Sequence, residues 1–528
     1  MKGNWRLNSI FLSILLFAAL ISWRLIYLQI IKGDVYKAFA QGQSGQNSVE
    51  NAIDRGEIFL KNGEPLAINK KFFSVSASPS KVADAGNTAK KLSEVLKLQE
   101  TLVLEKLTKD ALYSLIKNRL SEEEVKQLEE LKLPGIDIKE EKGRYFPQET
   151  LASQVVGFVD ANYQGQYGLE GYYNNILKDG KDLNLTIDYN IQFMAEKLLA
   201  KAVESLEAEG GLVLVLDPNS GKILTLANFP NFNPNLYKEY AQKGDLEIFQ
   251  DSAVQKIFEP GSVFKPITMA AALEEQKITP QTTYIDEGIL KVGGSTIKNY
   301  DSRTYGEQTM TNVLEKSINT GAVFAERQLG HNLFLKYIEK FGFFSKTGID
   351  LTEVYSENRE FKKGYDVNFD TAAFGQGIEM TPIQLVRAFS VIANGGKLIK
   401  PYVVEKILTP DLSSPILSPK TVSQLTAMMV SVVENGFGKK AGVLGYHIAG
   451  KTGTAQVSFS ALGIKKSGYS DKTVQSFIGF FPAFNPKFLA LVKIDNPKTK
   501  TAEYSAIPVF HDLAEYVLHL YQVPPDYE

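Results

Sequence analysis

The chain has no cysteine and only four histidines among its 528 residues. The absence of cysteine excludes disulfides, zinc–thiolate sites and a cysteine nucleophile, and it is compatible with export. The histidines show no metal-ligand spacing, and the sequence has no Gly-x-Ser-x-Gly elbow. A catalytic serine would therefore depend on lysine rather than histidine as its base. The sequence predicts neither a metal nor a cofactor.

The sequence also lacks a bias toward charge of one sign. Its net charge is −2 and 44% of its residues are hydrophobic, which describes a folded protein without electrostatic preference for nucleic acid. The length predicts two or three domains rather than one core.

One long apolar run lies near the N-terminus, over residues 7–31, after a tail of residues 1–6 that carries Lys2 and Arg6. About 20 apolar residues span a bilayer as a helix, and Arg24 can reach the interface with its long side chain. A cleaved signal peptide is the alternative, but apolar residues continue beyond its usual core and no small-residue cleavage site is evident. We therefore expect an uncleaved single-pass anchor, a cytoplasmic tail and an extracytoplasmic remainder.

Residues 32–185 are expected to form a separate module without catalytic residues, suited to a scaffold or docking role. Residues 55–58 and 62–67 read as strand, tight turn and strand. The Leu-, Lys- and Glu-rich pattern over 89–133 predicts helix, with a solvated N-terminus at the acidic run 122–124. Extended segments are predicted from there to about residue 185.

Residues 186–528 are predicted to form an α+β domain. Asp188 is placed to cap a helix over 189–209, and strands are expected at 211–216 and 222–228. Helices dominate up to about residue 395, and later strands are expected at 446–450, 474–481 and 488–494. A hairpin early and strands late predict an antiparallel sheet that the C-terminal half completes.

Ser262 and Lys265 lie three residues apart at a predicted helix start, after Glu259-Pro260-Gly261 and before the helix-forming run 267–275. Residues at i and i+3 share a helix face, so the lysine amine can reach the serine hydroxyl. A serine needs a base, and a lysine serves as one only if burial or nearby cations lower its pKa. The helix N-terminus also favours an oxyanion at the serine.

The same spacing occurs elsewhere by chance. Ser-x-x-Lys also begins at Ser78 in a Ser-rich loop, at Ser114 in a predicted helix and at Ser295 in a predicted hairpin. Only Ser262 stands in a turn that leads into a helix.

Ser317 and Asn319 lie two residues apart in a predicted helical run, 312–327. The hydroxyl could relay a proton between the lysine and a leaving amine, and the amide could hold a substrate carbonyl. Residues 356–358 repeat the Ser-x-Asn pattern in a polar loop.

Lys451, Thr452, Gly453 and Thr454 follow a predicted strand at an exposed sheet edge. A cation and two hydroxyls there would bind a carboxylate, and the edge would pair with a peptide in β fashion. Glycine permits close approach. Residues 346–348 repeat Lys-Thr-Gly in what reads as a loop.

The three motifs in this order resemble those of penicillin-binding proteins and class A β-lactamases. The chain as a whole is similar to the class B, monofunctional penicillin-binding proteins, which are membrane-anchored peptidoglycan D,D-transpeptidases. Its short linkers and the Ala-Ser-Pro-Ser near Ser78 resemble the cell-division branch more than the elongation branch. One departure is Leu60-Lys61, where the family usually has Asp-Arg. This departure bears on the packing or partner contacts of the module at 32–185 rather than on catalysis. The matching segments are 24–29, 55–67, 144–147, 168–170, 188–192, 259–266, 374–377, 381–384, 394–396 and 449–456.

The resemblance implies an N-terminal transmembrane helix, an elongated pedestal or dimerisation domain, and a β-lactamase-like transpeptidase domain with an antiparallel sheet flanked by helices. It implies that Ser262 is the acylated nucleophile, Lys265 its base and Ser317 a proton shuttle. Asn319 would hold the donor amide, and Lys451 would tune the site electrostatically. Thr452 and Thr454 would bind the substrate carboxylate, and the N–H groups of Ser262 and Thr454 would form the oxyanion hole. Gly375 and Gly377 are expected to be structural residues beside the cleft.

The implied substrate is the D-Ala-D-Ala end of a peptidoglycan stem peptide, and β-lactams would acylate the same serine. The implied partners are the cell membrane, a glycan-polymerising membrane protein and division proteins. Two alternatives are a D,D-carboxypeptidase or β-lactamase-like hydrolase and a non-catalytic division scaffold. The anchor and large pedestal argue against the hydrolase, and the complete set of site residues argues against the scaffold.

Overall fold

The computed structural model describes residues 15–17, 20–21, 23, 54–111, 113–405 and 415–528. The described residues between 15 and 23 are helical, but most of the predicted anchor at 7–31 lies outside the described residues, as do residues 1–6 and 32–53. Across the described part of the chain, no helix is both long and apolar enough to cross a bilayer.

The first module, which we call the pedestal, is built on the long strand β2. β2 pairs antiparallel with β1 through its first residues, 65–67, and with both β3 and β4 through its later residues. The predicted strand, turn and strand correspond to β1 and β2, with Gly63 in the left-handed conformation between them, but β1 begins at Ile58 rather than at residue 55. Strands are β1 Ile58–Phe59, β2 Pro65–Ala77, β3 Ser114–Leu120, β4 Ile136–Tyr145, β5 Phe158–Val159, β6 Gly165–Gln166 and β7 Leu183–Asn184; helices are α1 Ala85–Leu96, α2 Glu100–Thr108, α3 Glu122–Leu131, α4 Ser153–Val156, α5 Gly168–Tyr172 and α6 Asn174–Lys178.

Two predictions for the pedestal were wrong. The predicted helix over 89–133 is interrupted by β3, because Ile116 and Leu120 turn inward and the strand pairs with β2. Tertiary pairing outweighs helix propensity here. The predicted extended run to residue 185 contains the short helices α4, α5 and α6. The acidic run at 122–124 does begin a helix, where Ser121 and Glu124 form a capping box.

A buried ion triad joins distant parts of the pedestal. Both carboxylate oxygens of Glu170 accept hydrogen bonds, one from Arg55 Nε and one from Arg144 Nε, each at 2.7 Å. All three residues are at most 5% exposed. The carboxylate thus lies between two guanidinium groups that are 89 residues apart in the sequence.

We expect Glu170→Ala to destabilise the protein by about 3–5 kcal/mol, because it leaves two buried guanidinium groups without a counter-charge. Urea unfolding of the full chain, followed by circular dichroism, measures this loss. Glu140→Ala, which removes a solvent-exposed pair with Lys71, is the control and should leave the unfolding midpoint unchanged. Equal midpoints for both variants would contradict the prediction.

The second module is built on an antiparallel sheet in the order β14-β15-β16-β8-β9, as the sequence predicts for an α+β domain. Strands are β8 Gly210–Leu216, β9 Ile223–Phe229, β10 Thr283–Asp286, β11 Ile289–Val292, β12 Ser295–Lys298, β13 Gly306–Thr309, β14 Ala449–Ser458, β15 Tyr469–Phe481 and β16 Phe488–Asp495. Helices are α7 Tyr189–Ser205, α8 Tyr237–Gln242, α9 Ser252–Gln255, α10 Lys265–Glu274, α11 Met310–Glu315, α12 Asn319–Leu329, α13 His331–Lys340, α14 Asp366–Ala372, α15 Pro382–Ala393, α16 Pro419–Glu434 and α17 Ala506–Leu520.

Strand β8 shows how the sheet divides two hydrophobic cores. Leu212 and Leu214 pack into the core that contains α10, α15 and α16, whereas Val213 and Val215 pack against α7 and α17. This alternation follows from the two-residue period of a strand. Asp188 caps α7 as predicted, but the helix ends at Ser205 rather than at residue 209. The late strand predicted at 446–450 is instead β14, which begins at Ala449.

The two modules touch at the unusual Leu60-Lys61 pair. Leu60 is buried, and Lys61 Nζ donates to the hydroxyl of Tyr521, 3.0 Å away, beyond the end of α17. The same hydroxyl donates to Asp188 at 2.8 Å. Lys61 therefore contributes to a contact between the pedestal and the second module.

Candidate active site

Ser262 lies in a tight turn, Gly261–Phe264, that runs directly into α10. Gly261 has a φ of +61°, and a Cβ there would lie 2.8 Å from the Cβ of Ala455 on β14. Its N–H donates to the carbonyl of Gly375 at 2.9 Å. Glycine is thus required both for the backbone conformation and for close packing of the turn. Lys265 is the first residue of α10, with Pro266 in the first turn where its missing N–H is harmless.

The amine of Lys265 is completely buried and has four oxygen neighbours. Its Nζ lies 3.0 Å from Ser262 Oγ, 2.6 Å from the Ser317 carbonyl oxygen, 3.1 Å from Ser317 Oγ and 2.8 Å from Asn319 Oδ1. The structure therefore brings together the residues of the first two motifs around one nitrogen.

Ser317 and Asn319 do not lie within one helix, contrary to the prediction. α11 ends at Glu315 and α12 begins at Asn319, and Ser317 between them has a φ of +53°. This left-handed turn directs both the carbonyl and the hydroxyl of Ser317 to Lys265. Such a conformation is uncommon for a non-glycine residue and is maintained by surrounding contacts.

Lys451, Gly453 and Ala455 alternate along β14 as buried residues, with Thr452 and Thr454 partly exposed between them. Lys451 Nζ donates to Ser317 Oγ at 2.9 Å and to Thr452 Oγ1 at 3.2 Å. A Cβ on Gly453 would lie 2.9 Å from Val263 in the turn that carries Ser262. Strand β14 is the last strand of its sheet, as predicted, so its outer edge is available for pairing with a peptide.

The two lysine amines have strongly altered proton affinities. Burial lowers the pKa of the Lys451 amine to about 7. Burial, followed by repulsion from Lys451, lowers the pKa of Lys265 well below its usual value. A neutral amine can accept the proton of a serine hydroxyl, which a lysine of ordinary pKa does not do near neutral pH.

The repeated motifs elsewhere in the chain are not part of this cluster. Of the three additional Ser-x-x-Lys serines, Ser78 directly precedes a 3-10 turn, Ser114 begins β3 and Ser295 begins β12, so the helix predicted at Ser114 is a strand. Ser356 and Asn358 bond to Glu379, and Thr347 with Gly348 bonds to Glu353. The copies of the second and third motifs therefore have local structural partners.

One contact at the edge of the site links two of the matching segments to Tyr469, which the sequence analysis did not indicate. Glu259 Oε2 accepts a hydrogen bond from the Tyr469 hydroxyl at 2.8 Å and one from Gly377 N at 3.2 Å. It joins the segment before the Ser262 turn, the loop of Gly375 and Gly377, and the start of β15. A Cβ on Gly375 of that loop would lie 2.1 Å from the Gly261 carbonyl oxygen, which agrees with a structural role beside the cleft.

Sequence motifs also did not indicate Asp286 and Asn299, which lie behind Asn319. Asn299 Oδ1 accepts from Asn319 N at 3.0 Å, and Asn299 Nδ2 donates to both carboxylate oxygens of Asp286 at 2.9 Å. The one local signal is the hairpin predicted at Ser295, which Asn299 follows at the end of β12, whereas Asp286 is the last residue of β10 and had no predicted context.

A serine hydroxyl that faces a buried amine of low pKa is the arrangement of a serine acyltransferase with a lysine base. Comparisons with known proteins identify the family. The Penicillin binding protein transpeptidase domain matches residues 211–515, and the Penicillin-binding Protein dimerisation domain matches residues 51–187. The chain belongs to the class B penicillin-binding proteins and is a peptidoglycan D,D-transpeptidase.

Individual relatives agree with this assignment. The chain is 34% identical to Stage V sporulation protein D of Bacillus subtilis (strain 168), over 91% of this chain and 80% of the relative. It is 27% identical to the peptidoglycan D,D-transpeptidase FtsI of Escherichia coli (strain K12), over 99% and 93%. The crystal structure of Penicillin Binding Protein 2X from Streptococcus thermophilus has the same fold, with a TM-score of 0.72 at 22% identity over 89% of this chain and 80% of that one.

Proposed function

We propose that Ser262 is the nucleophile, that Lys265 is its base, and that the enzyme cross-links stem peptides through an acyl-serine intermediate. The observation that carries this proposal is the set of four oxygen atoms around the Lys265 amine. The proposed donor is the D-Ala-D-Ala end of a stem peptide, and the proposed acceptor is an amine of a neighbouring one.

The four neighbours orient a neutral Lys265 toward Ser262. A neutral amine has two N–H donors and one free electron pair. The Ser317 carbonyl oxygen and Asn319 Oδ1 can only accept hydrogen bonds, so they take the two N–H groups. The free electron pair is then left for the two hydroxyl groups, and Ser262 Oγ–H can donate to it. This geometry favours proton removal from the nucleophile.

The proposed reaction proceeds in two halves. The Ser262 proton passes to Lys265 while Oγ attacks the carbonyl carbon of the penultimate D-Ala. The C–N bond to the terminal D-Ala then breaks, and the leaving amine takes a proton by way of the Ser317 hydroxyl, which contacts both lysines. The acceptor amine then attacks the carbonyl carbon of the ester and gives up a proton to Lys265 or the Ser317 hydroxyl. The ester C–O bond breaks as the new amide forms, and the proton passes to the oxygen of Ser262.

The remaining motif residues are proposed to bind and stabilise the donor. The N–H groups of Ser262 and Thr454 would form the oxyanion hole, and backbone donors of this kind contribute about 2.7–4 kcal/mol each to transition-state stabilisation. The hydroxyls of Thr452 and Thr454 would hold the terminal carboxylate, while Lys451 adds positive charge. Gly453 lets the peptide approach β14 closely.

Membrane attachment and cellular role are part of the same proposal. The apolar run 7–31 would anchor the enzyme in the cell membrane with its catalytic module outside the cytoplasm. There the pedestal would contact a glycan-polymerising membrane protein and division proteins. Truncation before residue 32 should release the protein from membranes without loss of acylation. If the truncated protein stayed membrane-bound, the anchor would have to lie elsewhere.

The transpeptidase assignment is tested by the fate of the acyl group. The enzyme is incubated with a D-Ala-D-Ala peptide and an amine acceptor, and products are separated by mass. We expect amide product and released D-Ala in equal amounts. Only the shortened peptide would favour the D,D-carboxypeptidase, and no turnover by folded protein would favour the scaffold.

We expect Lys451→Met to move the acidic limb of the acylation rate to higher pH. Lys265 must be neutral to act, so the rate falls as pH drops below its pKa. Removing the nearby cation raises that pKa, since repulsion from Lys451 contributes to lowering it. Acylation rate constants measured with a fluorescent penicillin at a series of pH values around neutrality give the pH at which the rate falls. Lys451→Arg keeps the positive charge, so its rate should fall at the same low pH as that of the wild type. If the rates of the wild type and both variants fell at the same pH, the prediction would be wrong.

A further inference from the structure

We infer that Asp286 and Asn299 are positioning residues that hold Asn319 so that Lys265 faces Ser262 in its reactive orientation. This inference rests on the proposed function of Ser262 and Lys265. Neither residue belongs to a catalytic motif or touches the lysine itself.

Asn299 caps α12 from another part of the chain. The first N–H groups of a helix have no partner within the helix. Ile318, at the N-cap position of α12, provides no side-chain cap. Asn299 Oδ1 instead accepts from Asn319 N at 3.0 Å and from Thr320 N at 3.2 Å. The backbone of Asn319 is therefore fixed by a side chain that follows β12.

Asp286 in turn fixes Asn299. Asp286 is 1% exposed and accepts from Asn299 Nδ2, Thr320 Oγ1, Gly288 N and Tyr305 N, at 2.6–3.0 Å. Burial raises its pKa, but these donors together hold the pKa below its usual value. A carboxylate so placed is ionised at neutral pH, and its charge strengthens each of these hydrogen bonds. Because the amide nitrogen of Asn299 donates to Asp286, the amide oxygen of Asn299 must face α12.

The hairpin formed by β11 and β12 also determines the orientation of the Asn319 side-chain amide. Asn319 Nδ2 donates to the Lys298 carbonyl oxygen at 2.8 Å, which can only accept. Asn319 Oδ1 is thereby directed at Lys265 Nζ, 2.8 Å away. A flipped amide would place its NH2 group against the amine and remove one of the two acceptors that orient it. Asn319 is thus held by Asn299 at its backbone and by Lys298 at its side chain, and it connects both to the amine of Lys265.

The alternative is that the pair only stabilises the hairpin. A stability role would reduce the amount of folded enzyme but would not change the acylation step in the molecules that remain folded. A positioning role lowers the acylation rate constant of folded enzyme while the affinity for penicillin stays unchanged. It also alters the pH profile, since the environment of Lys265 changes. The two roles therefore give different kinetics.

The test uses the full chain and a fluorescent penicillin in single-turnover experiments. Asn299→Asp puts a second carboxylate opposite Asp286, and Asp286→Asn removes the charge and one of the two acceptor oxygens that hold Asn299, Thr320 and Tyr305. For each variant we expect the acylation rate constant to fall about 10- to 100-fold and the acidic side of its pH profile to shift. The exchanged double variant, Asp286→Asn with Asn299→Asp, restores a donor opposite an acceptor and should recover most of the rate. Thr320→Val, which removes only one hydrogen bond to Asp286, provides a milder variant if the others fold poorly.

Asn235→Ala is the matched control, because Asn235 also bridges backbone groups but does so at Phe146, in the pedestal. It should leave the acylation constant and pH profile of folded enzyme unchanged. Wild-type rate constants and pH profiles in folded Asn299→Asp, Asp286→Asn and Thr320→Val would overturn the inference. The proposed function would still stand if Ser262→Ala abolished the adduct in the same experiment, and would fall separately if it did not.

Discussion

Ser262→Ala is expected to abolish acyl-enzyme formation with penicillin while leaving the fold intact. The substitution removes the only atom proposed to form the covalent bond, so no other group in the site replaces it. Loss of a nucleophile typically lowers turnover by about 10⁶-fold. Lys265 keeps its contacts to Ser317 and Asn319, so we expect no collapse of the site. Mass spectrometry should show one drug-mass adduct on the peptide that contains Ser262, and none in the variant.

Ser78→Ala is the matched control, since Ser78 begins a Ser-x-x-Lys copy in the pedestal. It should form the adduct at the wild-type rate. An adduct that persists in folded Ser262→Ala would move the nucleophile to another residue. The absence of an adduct in folded wild-type protein would instead support the non-catalytic scaffold.

Lys265→Met is expected to slow acylation by about 10²- to 10⁴-fold, the usual contribution of a positioned general base. Methionine is apolar and close in length, so it can occupy the buried space that Lys265 leaves. The penicillin should still bind, because the oxyanion groups and β14 are unchanged. The measurement is the single-turnover acylation rate constant, separated from affinity by varying the drug concentration.

Lys265→Arg separates charge from basicity. Arginine keeps a positive charge but does not lose its proton in proteins, so it should be as slow as Lys265→Met. Lys81→Met, in the pedestal copy of the motif, should acylate normally. Retention of most of the rate by the arginine variant would show that Lys265 acts through its charge, and the proposed proton transfer would then be wrong.

The sequence was most informative where chemistry depends on neighbours along the chain. Ser262 and Lys265 are three residues apart at a helix start, so helical geometry alone brings their side chains together. The strands β8 and β9 were also predicted from local sequence, as a buried strand, a turn and a return strand. The order of the three motifs, together with the resemblance, predicted that distant residues would meet at Lys265.

Local patterns failed where tertiary contacts decide. Ser317 reads as helical, but its left-handed turn is maintained by contacts with Lys265, which is far away in sequence. Ser114 also lies in a sequence that predicts a helix, although it begins β3. Only pairing with β2 makes this segment a strand. Asp286 and Asn299 carry no motif, because their role depends on which helix their hairpin meets.

The close packing of three glycines limits how this enzyme could evolve under antibiotic selection. Cβ atoms on Gly261 and Gly453 would lie within 3 Å of Ala455 and Val263, and one on Gly375 would press on the Gly261 carbonyl. A side chain at any of these positions would displace the turn that carries Ser262, and with it the Ser262 hydroxyl that lies 3.0 Å from the Lys265 amine. We therefore expect variants selected for penicillin resistance to keep glycine at all three positions, which sequencing of such variants would check.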